Sequence, residues 1–221
     1  MRAGDILWLG ALGAVAALLL VPATHNLFID FTKAFPYLIG FVKFAILATM
    51  GELLALRIVT GRWKQPAGLV YRAVVWGLFG MSFVLMFDVF ATGVGGAVKK
   101  GLLPGGDSSF LTAFWISATM NLAFAPTFMA VHRITDTYLD LAGGKLGALS
   151  RVSLGQVVGH IDWNGYVSFV VLKTVPFFWI PAHTVTFMLP PEYRVLAAAF
   201  LSIALGGILA FAKRRSLPNP A

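Results

Sequence analysis

Six long apolar stretches constrain the fold of this chain more than any other feature of its sequence. They cover residues 6–22, 36–58, 70–96, 109–132, 164–187 and 194–212. A membrane-spanning helix needs about 20 mostly apolar residues. The other spanning structure, a closed β-barrel, alternates apolar and polar residues along each strand. Runs such as 12–20 do not alternate, so the sequence predicts an all-α, polytopic transmembrane helix bundle with about six spans.

The composition supports a protein of the bilayer. Of the 221 residues, 58% are hydrophobic and only 12% are charged, and the mean hydropathy is +0.82. Soluble domains carry about 25% charged residues, so this chain has too few to cover a surface in water. A soluble enzyme, a disordered chain and a nucleic-acid binder are therefore excluded, although the net charge is +8. The chain has no Cys, which rules out disulfides, thiol nucleophiles and thiolate metal sites.

The distribution of Lys and Arg predicts the orientation of the bundle. With the N-terminus in the cytoplasm, 11 basic residues lie in or beside the inside segments and 4 lie in the outside segments. Cytoplasmic loops carry such an excess, so we expect both termini inside. The basic inner face would attract anionic lipid headgroups. The longest connection, 133–163, is too short to fold alone, so residues 1–221 are predicted to form a single transmembrane domain.

Two of the stretches have a second interpretation. The first, 6–22, follows a basic residue and ends in Val-Pro-Ala, which also fits a cleaved signal peptide; we favour an uncleaved anchor. The fifth, 164–187, is either a continuous span or a broken or re-entrant segment. It contains two basic side chains and two prolines: Lys173, Pro176, Pro181 and His183.

Four strongly charged residues lie inside the apolar stretches: Lys43, Glu52, Asp88 and Lys173. A charge at the bilayer centre costs about 2.5–3.5 kcal/mol on insertion scales, so such residues mark functional sites by default. Matching depths predict an outer pair, Lys43 with Asp88, and an inner pair, Glu52 with Lys173. If the pairs face water they line a polar path, and if they face protein they are buried bridges. Lys43 alone could also snorkel to the outer surface.

The other polar residues give weaker signals. Asn121 lies near mid-membrane, where an interhelical hydrogen bond is the commoner role. His132, beside Arg133, is interpreted as an anchor at the inner interface. His183 has no second histidine at a ligand-like spacing, so no metal site is predicted. No Ser-His-Asp set or paired-carboxylate pattern occurs either, and the sequence predicts neither an enzyme nor a cofactor.

Prolines and glycines inside the stretches predict local features of the helices. A proline removes a backbone hydrogen bond and kinks a helix, and the freed carbonyls often line cavities. The candidate kinks are Pro126, Pro176 and Pro181. Five glycines in the third stretch are predicted to let neighbouring helices approach closely. They are Gly77, Gly80, Gly93, Gly95 and Gly96.

Several short motifs occur in a characteristic order. In chain order they are Gly51-Glu52, the Phe-Ala-Pro of 124–126, Trp179, Phe187, and Tyr193-Arg194. Their order and spacing resemble those of the Mpv17/PMP22 family of small integral membrane proteins. The resemblance covers about residues 33–215, so the first span would be an addition, as in a bacterial-type member.

The resemblance carries its own expectations. Members of that family are usually described with four spans in mitochondrial or peroxisomal membranes, and some are proposed to be channels for small solutes. Asn121 and His183 stand where the family has Gln, and Thr186 stands where it has Asn. The resemblance therefore implies a channel-like role with altered selectivity and adds Thr186 to the candidate residues.

The leading functional prediction is a pore or transporter for small solutes. Its polar path would be lined by Lys43, Glu52, Asp88, Asn121, Lys173, His183 and Thr186. The alternative is a non-conducting structural or regulatory membrane protein whose buried charges bridge helices. The expected location is the cell membrane, as a bacterial inner membrane, or an organelle membrane in a eukaryote. The expected partners are the lipid bilayer and a small solute but no nucleic acid, and a homo-oligomer is left open.

Overall fold

The regular structure of this protein is helical throughout the part that the computed structural model describes, residues 2–216. The helices are α1 (Ala3–Leu20), α2 (Pro22–Ala34), α3 (Pro36–Thr60), α4 (Leu69–Lys99), α5 (Ser109–Ala123), α6 (Ala125–Leu141), α7 (Leu154–His160), α8 (Trp163–Met188) and α9 (Pro191–Ser216). A 3₁₀ turn, Leu146–Arg151, precedes α7. No strand occurs within residues 2–216, which confirms the all-α prediction.

Five of these helices are long and apolar enough to cross a membrane: α1, α3, α4, α8 and α9. The bent pair α5–α6 raises the number to six if it counts as one span. Most ends of the apolar stretches predicted from the sequence lie within a few residues of the ends of these helices. The helices fit a multi-pass membrane protein.

Helix α1 lies on the outside of the bundle and buries none of its residues. Its N-terminal end is held by Asp5, which forms an ion pair with Arg57 at 2.9 Å and accepts a hydrogen bond from Trp63 Nε1 at 2.8 Å. Further along, Trp8 Nε1 donates to the Met50 carbonyl at 3.0 Å. One side of α1 packs partly against the core, and its remaining apolar surface is suited to lipid or to another membrane helix.

The connection between the first two apolar stretches contains a helix of its own, α2, which the sequence did not predict. Val21 is extended (φ −78°, ψ 120°) and ends α1, and Pro22 begins α2. Phe35 ends α2, and Pro36 begins α3. Proline suits the first helical position because the N–H that it lacks has no partner there.

Helix α3 packs between α4 and α9, and glycines allow it to approach both. A Cβ added to Gly40 would lie 2.9 Å from the Gly80 carbonyl oxygen of α4. A Cβ on Gly51 would lie 3.2 Å from the Cα of Ile203 in α9. Two of the five glycines singled out in the third stretch, Gly77 and Gly80, do face α3. The other three have no described atom within 4 Å of an added Cβ.

The two remaining spans depart from regular α-helix. Helices α5 and α6 meet at a bend of 44°, with Pro126 in the first turn of α6. Helix α8 is continuous, so it is neither broken nor re-entrant, but it makes π-helical turns over Tyr166–Trp179. There the N–H of Ile180 bonds to the Val175 carbonyl, five residues earlier. Pro176 lies within these turns, and Pro181 lies where regular α-helix resumes.

Candidate functional site

A cavity of about 630 Å³ lies between α3, α4, the α5–α6 pair, α8 and α9. Along α3 its lining extends from Phe44 to Val59, about 22 Å at the helical rise of 1.5 Å per residue. Val59, Pro66 and Lys213 line one end, which is the end predicted to face the cytoplasm. Phe44 and Phe87 line the other end.

Beyond the deep end of this cavity the bundle core is closely packed, although a separate cavity of about 380 Å³ lies between α1, α2 and α3. Val94, Ala113, Phe187 and Val195 are buried in the core cluster and do not line the cavity. They continue the helices beyond Phe87, toward the predicted outer face. The cavity therefore extends from one end of the bundle to about its middle, where packed side chains close it.

Aromatic rings form much of the cavity wall. The ring of Phe83 lies 4.8 Å from that of Phe128 in an edge-to-face contact. At the deep end, Trp179 stacks on His183 with ring centroids 5.1 Å apart. Rings in such arrangements give a rigid apolar surface, and Trp also offers an N–H donor.

One polar cluster interrupts this aromatic wall. Trp76 Nε1 donates to Glu52 Oε1 at 2.7 Å, and Arg72 Nη1 pairs with Asp136 Oδ1 at 2.9 Å. His132 lies between the two carboxylates, with Nδ1 3.6 Å from Asp136 Oδ2. One ligand-capable atom from each of Glu52, His132 and Asp136 lies within 4.8 Å of the other two. We call these three residues the carboxylate–imidazole cluster.

A second polar pair lies at the deep end of the cavity. His183 Nδ1 is 3.0 Å from Asn121 Nδ2, which also donates to the Ser117 carbonyl at 2.9 Å. Both Asn121 and His183 are buried, and both line the cavity. Asn121 Oδ1 also lies 3.2 Å from His183 Nδ1, so the ring nitrogen accepts from Nδ2 in one tautomer and donates to Oδ1 in the other. The pair joins α5 to α8 and forms part of the cavity wall.

Lys43 does not take part in the predicted outer pair. Its ammonium group donates to Thr32 Oγ1 at 3.1 Å and to the Glu192 carbonyl at 3.4 Å, and it lies 4.4 Å from the centre of the Phe28 ring. The side chain is buried, so it does not snorkel to the surface. Lys43 thus bridges α2, α3 and α9 away from the large cavity.

The other residues of the predicted path lie outside the lining of this cavity. Asp88 and Lys173 are exposed on α4 and α8, and no ion pair within residues 2–216 joins either one to Lys43 or Glu52. The inner pair therefore does not form either. Thr186 is buried, and its hydroxyl donates to the Ala182 carbonyl one turn earlier in the same helix.

Most of the carboxylate–imidazole cluster and the residues that support it were not predicted from the sequence. His132 was interpreted as an interface anchor, and neither Trp76 nor Asp136 was singled out. One signal was available, since His132 and Asp136 are four residues apart and so share a helix face. The cluster contains one histidine, so no pair of histidines at a ligand-like spacing marks it in the sequence.

Comparisons with known proteins add no relative. Neither the protein-family models, nor the curated proteins, nor the solved structures give a significant match to this chain.

Proposed function

We propose that this chain is a pore or transporter for small solutes and that its polar path includes the cavity. The observation that carries the proposal is a space of about 630 Å³ between membrane-type helices with Glu52, Asn121 and His183 in its wall. Ionisable residues within spans are rare and usually face a water-filled route or a binding site. Pockets of about 300–1,000 Å³ suit small organic ligands.

The closed deep end bears on the mechanism. A solute that enters beside Val59 and Pro66 meets packed side chains beyond Phe87, so passage requires a rearrangement of the helices. This favours a gated pore or an alternating-access transporter over a permanently open channel. The bend between α5 and α6 and the π-helical turns of α8 are the departures from regular helix in the cavity wall, and they are where we place that movement.

The orientation and the family are parts of the same proposal. We place both termini and the cavity mouth in the cytoplasm and the protein in the cell membrane, from the distribution of Lys and Arg. Membership of the Mpv17/PMP22 family is supported by the order of the motifs. It is also supported by the meeting of Asn121, Trp179 and His183, all positions that the resemblance marks, at the deep end of the cavity.

One observation favours the second candidate, a non-conducting membrane protein. Lys43 is buried, contacts partners from its own chain and acts as a bridge between helices. A buried ion held in this way fixes the register of the helices and needs no solute. This observation concerns Lys43 alone, because Glu52 lines the cavity.

Flux through liposomes tests the proposal. We expect the purified full chain to release small solutes, graded by size and charge, faster than protein-free liposomes do. Glu52→Ala should bring release close to the protein-free rate. Asp88→Ala is the matched control, because it removes an exposed carboxylate that does not line the cavity, and it should leave release unchanged.

Two results would count against solute passage. The first is release by the wild-type chain no faster than from protein-free liposomes, for every solute tested. The second is equal release by Glu52→Ala and wild type when both give the same thermal unfolding profile. The first result would favour the non-conducting alternative.

A further inference from the structure

Three potential metal ligands meet in the wall of the cavity. Glu52 comes from α3, and His132 and Asp136 come from successive turns of α6. One ligand-capable atom of each lies within 4.8 Å of the other two. All three residues line the cavity, so an ion could reach them from its open end.

Each carboxylate has one oxygen held by a neighbouring donor and one oxygen available. Trp76 Nε1 binds Glu52 Oε1, which leaves Oε2. Arg72 binds Asp136 Oδ1, which leaves Oδ2 on the side of His132. Hydrogen bonds of this kind to ligand side chains orient them and are typical of metal sites.

The imidazole of His132 has no hydrogen bond at either nitrogen within the described residues. Nε2 is buried without a partner. Nδ1 lies 3.6 Å from Asp136 Oδ2, which is too long for a hydrogen bond. Two ligands of a tetrahedral Zn²⁺ at about 2.1 Å each lie roughly 3.4 Å apart, close to this separation. A buried ring nitrogen without a hydrogen-bond partner is costly, and a bound ion would satisfy such a nitrogen.

We propose that Glu52, His132 and Asp136 bind one divalent transition-metal ion of the Zn²⁺ type. One imidazole with two carboxylates suits Zn²⁺ better than Mg²⁺, which prefers oxygen ligands and water. Three protein ligands leave a fourth position for water or for a solute in the cavity. Arg72 does not cancel the negative charge of the cluster, because it also pairs with Asp140 at 2.6 Å. The inference goes beyond the proposed function, since a bound ion requires no flux.

Metal binding by the full chain in detergent tests this proposal. After treatment with a chelator, we expect titration with Zn²⁺ to show one site per chain and a much weaker response to Mg²⁺. Glu52→Gln and His132→Gln should abolish that site. Trp76→Phe keeps an aromatic ring but removes the hydrogen bond to Glu52, and it should weaken Zn²⁺ binding by about 10- to 100-fold.

Two control variants match these changes outside the cluster. Asp88→Asn removes an exposed carboxylate that does not line the cavity, and His25→Gln removes a histidine that contacts Tyr193 instead. Both should bind Zn²⁺ as the wild type does. No stoichiometric Zn²⁺ binding by the wild type would overturn the proposal, and so would unchanged affinity in Glu52→Gln and His132→Gln.

X-ray absorption of the Zn²⁺-loaded wild type gives a test that does not depend on whether any variant folds. We expect one imidazole nitrogen and oxygen ligands at about 2.0–2.2 Å. A spectrum without an imidazole ligand would overturn the proposal even if the variants fail to fold. Because binding is measured in detergent and flux in liposomes, failure of the metal site and failure of the transport proposal are distinguishable.

Discussion

Replacing Gly80 with Ala tests the close crossing of α3 and α4 on which one wall of the cavity depends. A Cβ at this position would lie 2.8 Å from Phe44 Cβ and nearer still to the Gly40 carbonyl oxygen. Carbon atoms in contact are about 3.5–4.0 Å apart, so the two helices must separate by roughly 1 Å. The obstacle is the backbone and a Cβ, which cannot rotate away. Overpacking of this kind costs about 1–3 kcal/mol.

The matched control is Gly93→Ala, the same substitution in the same helix. No described atom lies within 4 Å of its new methyl group. Both variants gain the helix propensity of Ala over Gly, about 1 kcal/mol in soluble helices, so the difference between them isolates the overpacking. We expect the free energy of unfolding of Gly80→Ala to be about 1–3 kcal/mol below that of Gly93→Ala. Equilibrium unfolding in mixed micelles measures it, and equal stability of the two variants would refute the reasoning.

Two further predictions concern the deep end of the cavity and the orientation. Asn121→Ala should lower the free energy of unfolding by about 1–3 kcal/mol, because it leaves buried His183 Nδ1 without its partner. A decrease in unfolding free energy no larger than that caused by replacing an exposed Asn with Ala would contradict this. The chain has no Cys, so single cysteines report orientation without background. In intact cells, an impermeant thiol reagent should label Lys100→Cys and not Lys64→Cys, and the reverse pattern would contradict a cytoplasmic N-terminus.

The positions of the long helices could be predicted because the length of an apolar stretch is read directly from the order of residues in the sequence. The stretch 36–58 became α3 (Pro36–Thr60), and 70–96 became α4 (Leu69–Lys99). Helix α2 was not predicted because its 13 residues are too few and too polar to form an apolar stretch of membrane length. Its boundaries are set instead by Pro22 and Pro36, each at the first position of a helix.

The charge pairs failed for a different reason. Depth along a helix follows from counting residues, but the direction in which a side chain points around the bundle depends on which helices are neighbours. Lys43 and Asp88 share a depth, yet Lys43 faces α2 and α9 whereas Asp88 is exposed. Glu52 lines the cavity, and its partner Trp76 was not predicted because a tryptophan carries no charge to suggest a pair.

The π-helical turns of α8 determine which of its residues face the cavity. Each residue of a regular α-helix is rotated about 100° around the helix axis from the one before it. In the wider π-helical turns this rotation per residue is smaller. Fourteen residues of such turns therefore change the direction in which all later side chains of α8 point. Trp179 and His183 therefore point into the cavity because of the accumulated rotation over Tyr166–Trp179. Losing one residue from this stretch would rotate His183 by somewhat less than the roughly 100° of a regular α-helix, unless the remaining turns changed width. The composition of the cavity wall is thus tied to the length of a segment that does not itself have to touch a solute.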